Sequence, residues 1–184
     1  TLSCNLRCRM CRFASSGDVL SKPKDSLPLA TWNTVIDDIA GFSPYITLTG
    51  GEPMLYPEID GLIRHIKQRG LVCTMTTNGT MLARRAADIM ADPPDMLVVS
   101  IDGPQEVHDE VRGHANSFEL AVQGVRQIRS QKLGPGKKRP VLLINCSITS
   151  YNFKHAAEMV DIAHDLGVDV LNYQYQWSLT GTMA

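Results

Sequence analysis

Cys4, Cys8 and Cys11 stand in the run Cys4-Asn5-Leu6-Arg7-Cys8-Arg9-Met10-Cys11, a C-x3-C-x2-C spacing. Thiolates are soft ligands that select zinc, copper(I) or iron–sulfur clusters. Four cysteines would close a structural zinc site or saturate a four-iron cluster. Three leave one iron of such a cluster without a protein ligand, and an open iron is a place where a substrate or cofactor binds. Two other readings stand beside this one: zinc held with a histidine from elsewhere, the chain having five, or no metal at all. Disulfides fit less well, because the chain has an odd number of cysteines, five, and its length does not call for covalent staples.

A second motif, Thr49-Gly50-Gly51-Glu52-Pro53, follows the apolar run Tyr45-Ile46-Thr47-Leu48. Further on stand Thr76-Thr77-Asn78-Gly79-Thr80, Ser100-Ile101-Asp102-Gly103-Pro104 and Val107-His108-Asp109-Glu110-Val111-Arg112-Gly113. With these motifs in this order, the chain resembles the radical S-adenosylmethionine (SAM) superfamily over essentially its whole length. The last three segments resemble the branch whose members often carry a C-terminal SPASM or twitch domain. Peptide-modifying enzymes and anaerobic sulfatase maturases belong to that branch. One departure is Met10, at a position that is often aromatic in the family.

The resemblance implies a catalytic [4Fe–4S] cluster on Cys4, Cys8 and Cys11, with SAM chelating the remaining iron. It implies that the reduced cluster passes one electron to the sulfonium and that the carbon–sulfur bond to the adenosyl group breaks. The resulting 5′-deoxyadenosyl radical abstracts hydrogen from a peptide, protein or cofactor-precursor substrate. By the same resemblance Gly50, Gly51 and Glu52 bind the methionyl ammonium, and Ser100 contacts the methionyl carboxylate or the ribose. Asp102 either joins that contact or supports its loop. Asn78 either holds a strand-end turn or touches SAM. Arg112 is a candidate partner for the SAM carboxylate, since its fork matches that group; the plainer reading is a surface ion pair with Asp109 or Glu110. A one-electron reductant such as flavodoxin or ferredoxin is implied as partner. Two other function classes remain: a non-catalytic iron–sulfur or zinc module for structure or electron transfer, and a SAM-binding scaffold without turnover.

The composition agrees with a globular protein. Of 184 residues, 43% are hydrophobic and 20% charged, and the net charge is −1. That balance carries no electrostatic footprint for nucleic acid or a membrane surface. The basic run Lys137-Lys138-Arg139 follows Gly134-Pro135-Gly136 and reads as a solvated turn. No apolar stretch approaches the ~20 residues a membrane helix needs. Unpaired thiols and an oxygen-sensitive cluster point to the reducing cytoplasm. Residues 1–184 read as one core domain with both ends cut: a strand is expected to lead into the cysteine loop, and only Thr1-Leu2-Ser3 precedes Cys4.

The elements that must position these residues alternate along the chain. Helical stripes are formed by Leu29, Trp32, Val35, Ile36 and Ile39, by Ile59, Leu62, Ile63 and Ile66, and by Leu82, Ala86, Ile89 and Met90. Two more are Phe118, Ala121, Val122, Val125 and Ile128 after a candidate cap at Ser117, and Phe153, Ala156, Ala157, Val160 and Ala163 after Asn152. Between them lie β-prone runs at 45–49, 71–77, 95–101, 141–148 and 168–175. Repeated βα units imply a parallel sheet. The predicted fold class is α/β, a partial (β/α)6 barrel of parallel strands with outer helices. Several strands alternate where buried parallel strands are usually apolar throughout. Thr74, Thr76 and Asn78 share one face, as do Ser100 and Asp102, Asn145, Ser147 and Thr149, and Asn172, Gln174 and Gln176. That polar face is expected to line a ligand cavity at the C-terminal strand ends. Cys73 and Cys146 lie on the opposite face and read as buried thiols; Tyr175 and Trp177 either face a substrate or cover an edge. Specificity is assigned to the loop 17–27 and to further elements of the protein.

Overall fold

The structure, a computed structural model, describes residues 3–11, 14, 26–132 and 140–175. The basic run at 137–139, Trp177 and most of the 17–27 loop lie outside those residues.

Five parallel strands are laid down in chain order: β1 (Tyr45–Leu48), β2 (Val72–Thr77), β3 (Met96–Ser100), β4 (Val141–Ile148) and β5 (Val170–Tyr175). The sheet order β1-β2-β3-β4-β5 means that every chain crossover joins neighbouring strands. Among the described residues six helices flank it: α1 (Leu29–Ile39), α2 (Ile59–Gln68), α3 (Leu82–Ala91), α4 (Gln105–Arg112), α5 (Ser117–Lys132) and α6 (Glu158–Leu166). All five β-prone runs became strands, within two residues at either end. The arrangement is the expected partial barrel, with five strands among the described residues against the six implied by the resemblance.

Period-two alternation decides which strand face meets the helices. Cys73, Met75, Leu97, Val99, Leu142, Ile144 and Cys146 are all at most 1% exposed and pack into one core. Onto them α2 lays Ile59, Leu62, Ile63 and Ile66, the full predicted stripe, and each is buried. Burying one such side chain contributes about 1.5–3 kcal/mol before the entropy of ordering it is counted. Leu82, Ala86 and Ile89 of α3 and Ala121, Val122, Val125 and Ile128 of α5 close the same core.

Two helix starts differ from expectation. Asp109, at the end of α4, caps α5: its Oδ1 accepts from the Phe118 N–H and the Ser117 hydroxyl, and its Oδ2 accepts from the Asn116 N–H, all at 2.8 Å. Ser117 is therefore a donor to the cap and not the cap itself. Those donors hold the Asp109 carboxyl below its usual range against the opposing effect of partial burial. The stripe after Asn152 is also displaced. A short 3-10 turn spans Phe153–His155, α6 begins only at Glu158, and Phe153 and Val160 are exposed while Met159, Ala163 and Leu166 are buried. The reason is that the Asn152 side chain is used elsewhere. Its amide donates to the carbonyls of Asp102 and Ser147, and its Oδ1 accepts from the Thr149 N–H.

No helix among the described residues is long and apolar enough to cross a membrane.

Candidate functional site

The C-terminal strand ends open on a cavity of about 390 Å³, within the size range of small-molecule sites. Thr76 and Asn78 from the end of β2, Ser100 from β3, Asn145 and Ser147 from β4 and Gln174 from β5 line it. The polar alternation seen in the sequence thus points where it was expected to. Asn145 joins the last two strands across the cavity face, accepting from the Asn172 amide at 2.6 Å and donating to Gln174 at 3.3 Å. Thr74, Asp102, Thr149 and Asn172, expected on the same face, do not line it, and Gln176 lies outside the described residues. β3 ends at Ser100, so the alternation does not carry on to residue 102, and the Asp102 carboxylate turns behind the cavity wall.

The cysteine loop forms the facing wall. Cys4, Cys8 and Cys11 all line the cavity, each half-buried and none in a disulfide. Three other elements hold the loop. At its start, the Ser3 carbonyl accepts from the Glu52 N–H at 2.7 Å. In its middle, Asn5 accepts from the Asn78 amide at 2.9 Å and donates to Thr80 Oγ1 at 2.8 Å. At its far side, the Arg7 and Arg9 N–H groups donate to the last carbonyls of α4, those of Arg112 and Val111, at 3.3 and 2.9 Å. A turn closed by Cys11 N–H on Cys8 C=O, 3.0 Å, brings the second and third thiols together.

Gly50 and Gly51 line the same cavity, with Thr49. Glu52 does not. It is fully buried, and its carboxylate is occupied by three donors: Met54 N–H at 3.0 Å and Thr77 Oγ1 at 2.8 Å on Oε1, and Asn78 N–H at 2.8 Å on Oε2. Burial pushes the Glu52 carboxyl upward and those donors oppose it. Its place is to pin the turn after β1 to the end of β2. Asn78 lines the cavity and also holds the strand-end turn, its Oδ1 accepting from the N–H and the hydroxyl of Thr80. The two alternatives raised for Asn78 are therefore compatible.

Arg112 lines the cavity as well and is not a surface ion-pair residue. Its Nε lies 2.7 Å from Asp102 Oδ2, with the two side chains 10% and 0% exposed. Its Nη1 lies 3.8 Å from Cys8 Sγ. Glu110 instead pairs with Arg9 at 2.8 Å on the surface. Sequence reasoning did not find this buried pair, the Asn5 bridge or the role of His108. His108 is fully buried and accepts from the Asp102 N–H through Nδ1 at 3.1 Å. Its proton must therefore sit on Nε2, and burial, with Arg112 nearby, lowers its pKa to about 3. The motif carrying these residues, His108 to Gly113, was visible in the sequence; the contacts were not, because they join side chains and backbone of different elements, from 6 residues apart for Asp102 and His108 to 104 for Cys8 and Arg112.

The donor set suits an iron–sulfur cluster. Burial holds the Cys4 and Cys8 thiols above their ordinary range, with Arg112 opposing it at Cys8, so metal binding there must displace protons. Among the described residues no three His, Cys, Asp or Glu side chains stand where they could hold a single ion. Three thiols on one cavity wall suit a polynuclear cluster, whose ligands sit on separate irons. Cys73 and Cys146 contrast with them: both are at most 1% exposed and pushed up to about 12 by burial, which makes them inert core thiols.

Comparison with known proteins agrees. The chain is 31% identical over 170 residues to an AdoMet-dependent heme synthase of Methanosarcina barkeri, matching 91% of this chain and 46% of that protein. It is 31% identical over 171 residues to a pre-heme d1 synthase of Dinoroseobacter shibae, matching 92% of this chain and 40% of that protein. The chain thus spans less than half the length of these relatives. Its fold superposes on Streptococcus suis SuiB bound to S-adenosylmethionine with a TM-score of 0.79 at 19% identity, over 98% of this chain and 40% of that one. It superposes on anSMEcpe with bound AdoMet with a TM-score of 0.76 at 17% identity, over 97% of this chain and 50% of that one. The radical SAM family profile matches residues 1–145, and the chain belongs to the radical SAM superfamily.

Proposed function

We propose that the protein is a radical SAM enzyme in which Cys4, Cys8 and Cys11 hold a [4Fe–4S] cluster and the strand-end cavity holds SAM. The observation that carries this is the meeting of three thiols, the Gly50-Gly51 backbone and the polar ends of four strands on one cavity. When bound, the cluster and SAM supply a 5′-deoxyadenosyl radical by one-electron reductive cleavage of the sulfonium. The chain's own residues bind, orient and exclude water. Gly50 and Gly51 present backbone where the methionyl end would lie. Glu52 acts indirectly, by fixing that backbone to β2. Ser100, Asn78, Thr76 and Asn145 offer donors and acceptors for the carboxylate and ribose. Leu6 and Met10, also in the cavity wall, supply the apolar surface that limits solvent around a reactive centre.

The substrate is a peptide, protein side chain or cofactor precursor. The two relatives named for heme and heme d1 synthesis favour a cofactor precursor. A small one-electron donor of the flavodoxin or ferredoxin kind would reduce the cluster, and a cytoplasmic setting fits both donor and cluster. Anaerobic reconstitution of the full-length protein tests the assignment. Each single Cys→Ala variant is expected to bind about four irons fewer than wild type, with a matching loss of sulfide. Wild-type-like iron in all three variants would refute it.

A further inference from the structure

We propose that Arg112 sets the reduction potential of the cluster by donating an N–H to the sulfur of Cys8, with Asp102 as its opposing counter-charge. The proposal rests on the reading that Cys8 is a cluster ligand.

The geometry is built for position. Arg112 Nη1 lies 3.8 Å from Cys8 Sγ, and Nε lies 2.7 Å from Asp102 Oδ2 as an ion pair that is poorly aligned for a hydrogen bond. Asp102 is held in turn from three sides. Its Oδ1 accepts from the Ser147 N–H at 2.9 Å, its carbonyl accepts from the Asn152 amide at 2.8 Å, and its N–H donates to His108. The backbone of Arg112 is tied to the same loop as its side chain, since its carbonyl accepts from the Arg7 N–H. Gly113 permits that closeness: it sits at φ +64°, and a Cβ there would lie 2.4 Å from the Arg7 carbonyl oxygen. The guanidinium and Cys8 are therefore fixed to each other through side chain and backbone alike.

A buried ion pair is weak evidence of added stability, because desolvation cancels much of the attraction. Its effect on a neighbouring charge change is more certain. One-electron reduction adds a negative charge to a cluster, and hydrogen bonds to its sulfurs and nearby charge are among the levers that set the potential. A buried cation beside one thiolate favours the reduced state, more strongly than it would in water. The Asp102 carboxylate, paired to the far side of the same guanidinium, works against it. Removing one partner or the other must then move the potential in opposite directions, which a purely structural role would not produce.

The test is a redox titration of the full-length, anaerobically reconstituted protein without SAM, following the reduced cluster by electron paramagnetic resonance. Arg112→Met is expected to lower the reduced-to-oxidised ratio at a fixed poise by about tenfold, which is 59 mV for a one-electron couple. Arg112→Lys, which keeps the charge and loses the fork, falls by less. Asp102→Asn raises the ratio. Midpoints equal to wild type in cluster-replete variants, or shifts of the same sign in Arg112→Met and Asp102→Asn, overturn the proposal. If Arg112→Met does not fold, Arg112→Lys and Asp102→Asn provide the same opposition of sign. A wild-type protein with no reducible cluster signal would overturn the assignment of the three cysteines instead.

Discussion

Replacing Gly113 with alanine probes how the cysteine loop is held, and Gly70 supplies a matched control. Both glycines follow helix C-termini with left-handed backbone, at φ +64° and +71°. A left-handed conformation costs a non-glycine residue about 1–2 kcal/mol, while the stiffer unfolded chain returns about 0.4–1 kcal/mol. Gly70→Ala should therefore lose roughly 1 kcal/mol and no more, because a Cβ there meets nothing within 4 Å. At Gly113 the Cβ meets backbone, Arg7 O at 2.4 Å and Arg7 C at 3.0 Å, so the cysteine loop must move away. That movement strains or breaks Arg7 N–H to Arg112 C=O and Arg9 N–H to Val111 C=O. At about 0.5–1.5 kcal/mol net per hydrogen bond, the added loss is about 1–3 kcal/mol. Urea midpoints of the two variants measure the difference, and iron content after anaerobic reconstitution measures its effect on the site. Gly113→Ala is expected to be the less stable of the two and to load less iron. Equal midpoints with wild-type iron in both would show that the end of α4 does not brace the loop.

Glu52→Ala should cost about 3 kcal/mol or more, since three buried donors lose their acceptor at about 1–3 kcal/mol each, with Glu52→Gln in between; urea midpoints decide, and a loss under about 1 kcal/mol refutes the anchoring role. For His108 the folded pKa of about 3 lies below the ordinary value near 6.5, so the unfolded state binds the proton more tightly. Its contribution to stability is complete above about pH 6.5 and falls by about 1.4 kcal/mol per pH unit below it, towards pH 3. Stability curves at pH 7.5 and 5.5 should show that slope, and His108→Gln should flatten it; an unchanged slope counts against a buried neutral imidazole. Gly51→Val should abolish SAM binding in calorimetry, because a branched side chain would stand in the cavity, and unaltered affinity in a folded, cluster-loaded variant would contradict that.

The sheet was legible because its signal is local. Alternation at 72–77 and 141–148 places Cys73, Met75, Ile144 and Cys146 in the core and Thr76, Asn145 and Ser147 on the cavity, and period two needs no knowledge of the partner strand. The stripe in α2 was legible for the same reason. What was missed depends on side chains crossing between elements. Asn152 reads as a helix cap in isolation, yet it is drawn into the strand ends by Asp102 and Ser147. Asp109 reads as a surface charge, yet it caps the next helix. Glu52 reads as a ligand-binding carboxylate, yet its oxygens are taken by Met54, Thr77 and Asn78. The cysteines themselves were plain in the sequence, while the arginine beside Cys8 comes from 104 residues further on.

On the proposed function, Cys4, Cys8, Cys11 and the cavity they face support reductive cleavage of SAM. The most direct measurement is chromatography of quenched anaerobic mixtures of full-length protein, dithionite and SAM. Cluster-replete wild type is expected to release 5′-deoxyadenosine and methionine. Cys4→Ala, Cys8→Ala and Cys11→Ala should release none, while a folded Cys73→Ser/Cys146→Ser double variant keeps the reaction. Protein that holds both a four-iron cluster and SAM yet yields no 5′-deoxyadenosine would contradict the claim and leave a SAM-binding scaffold in its place.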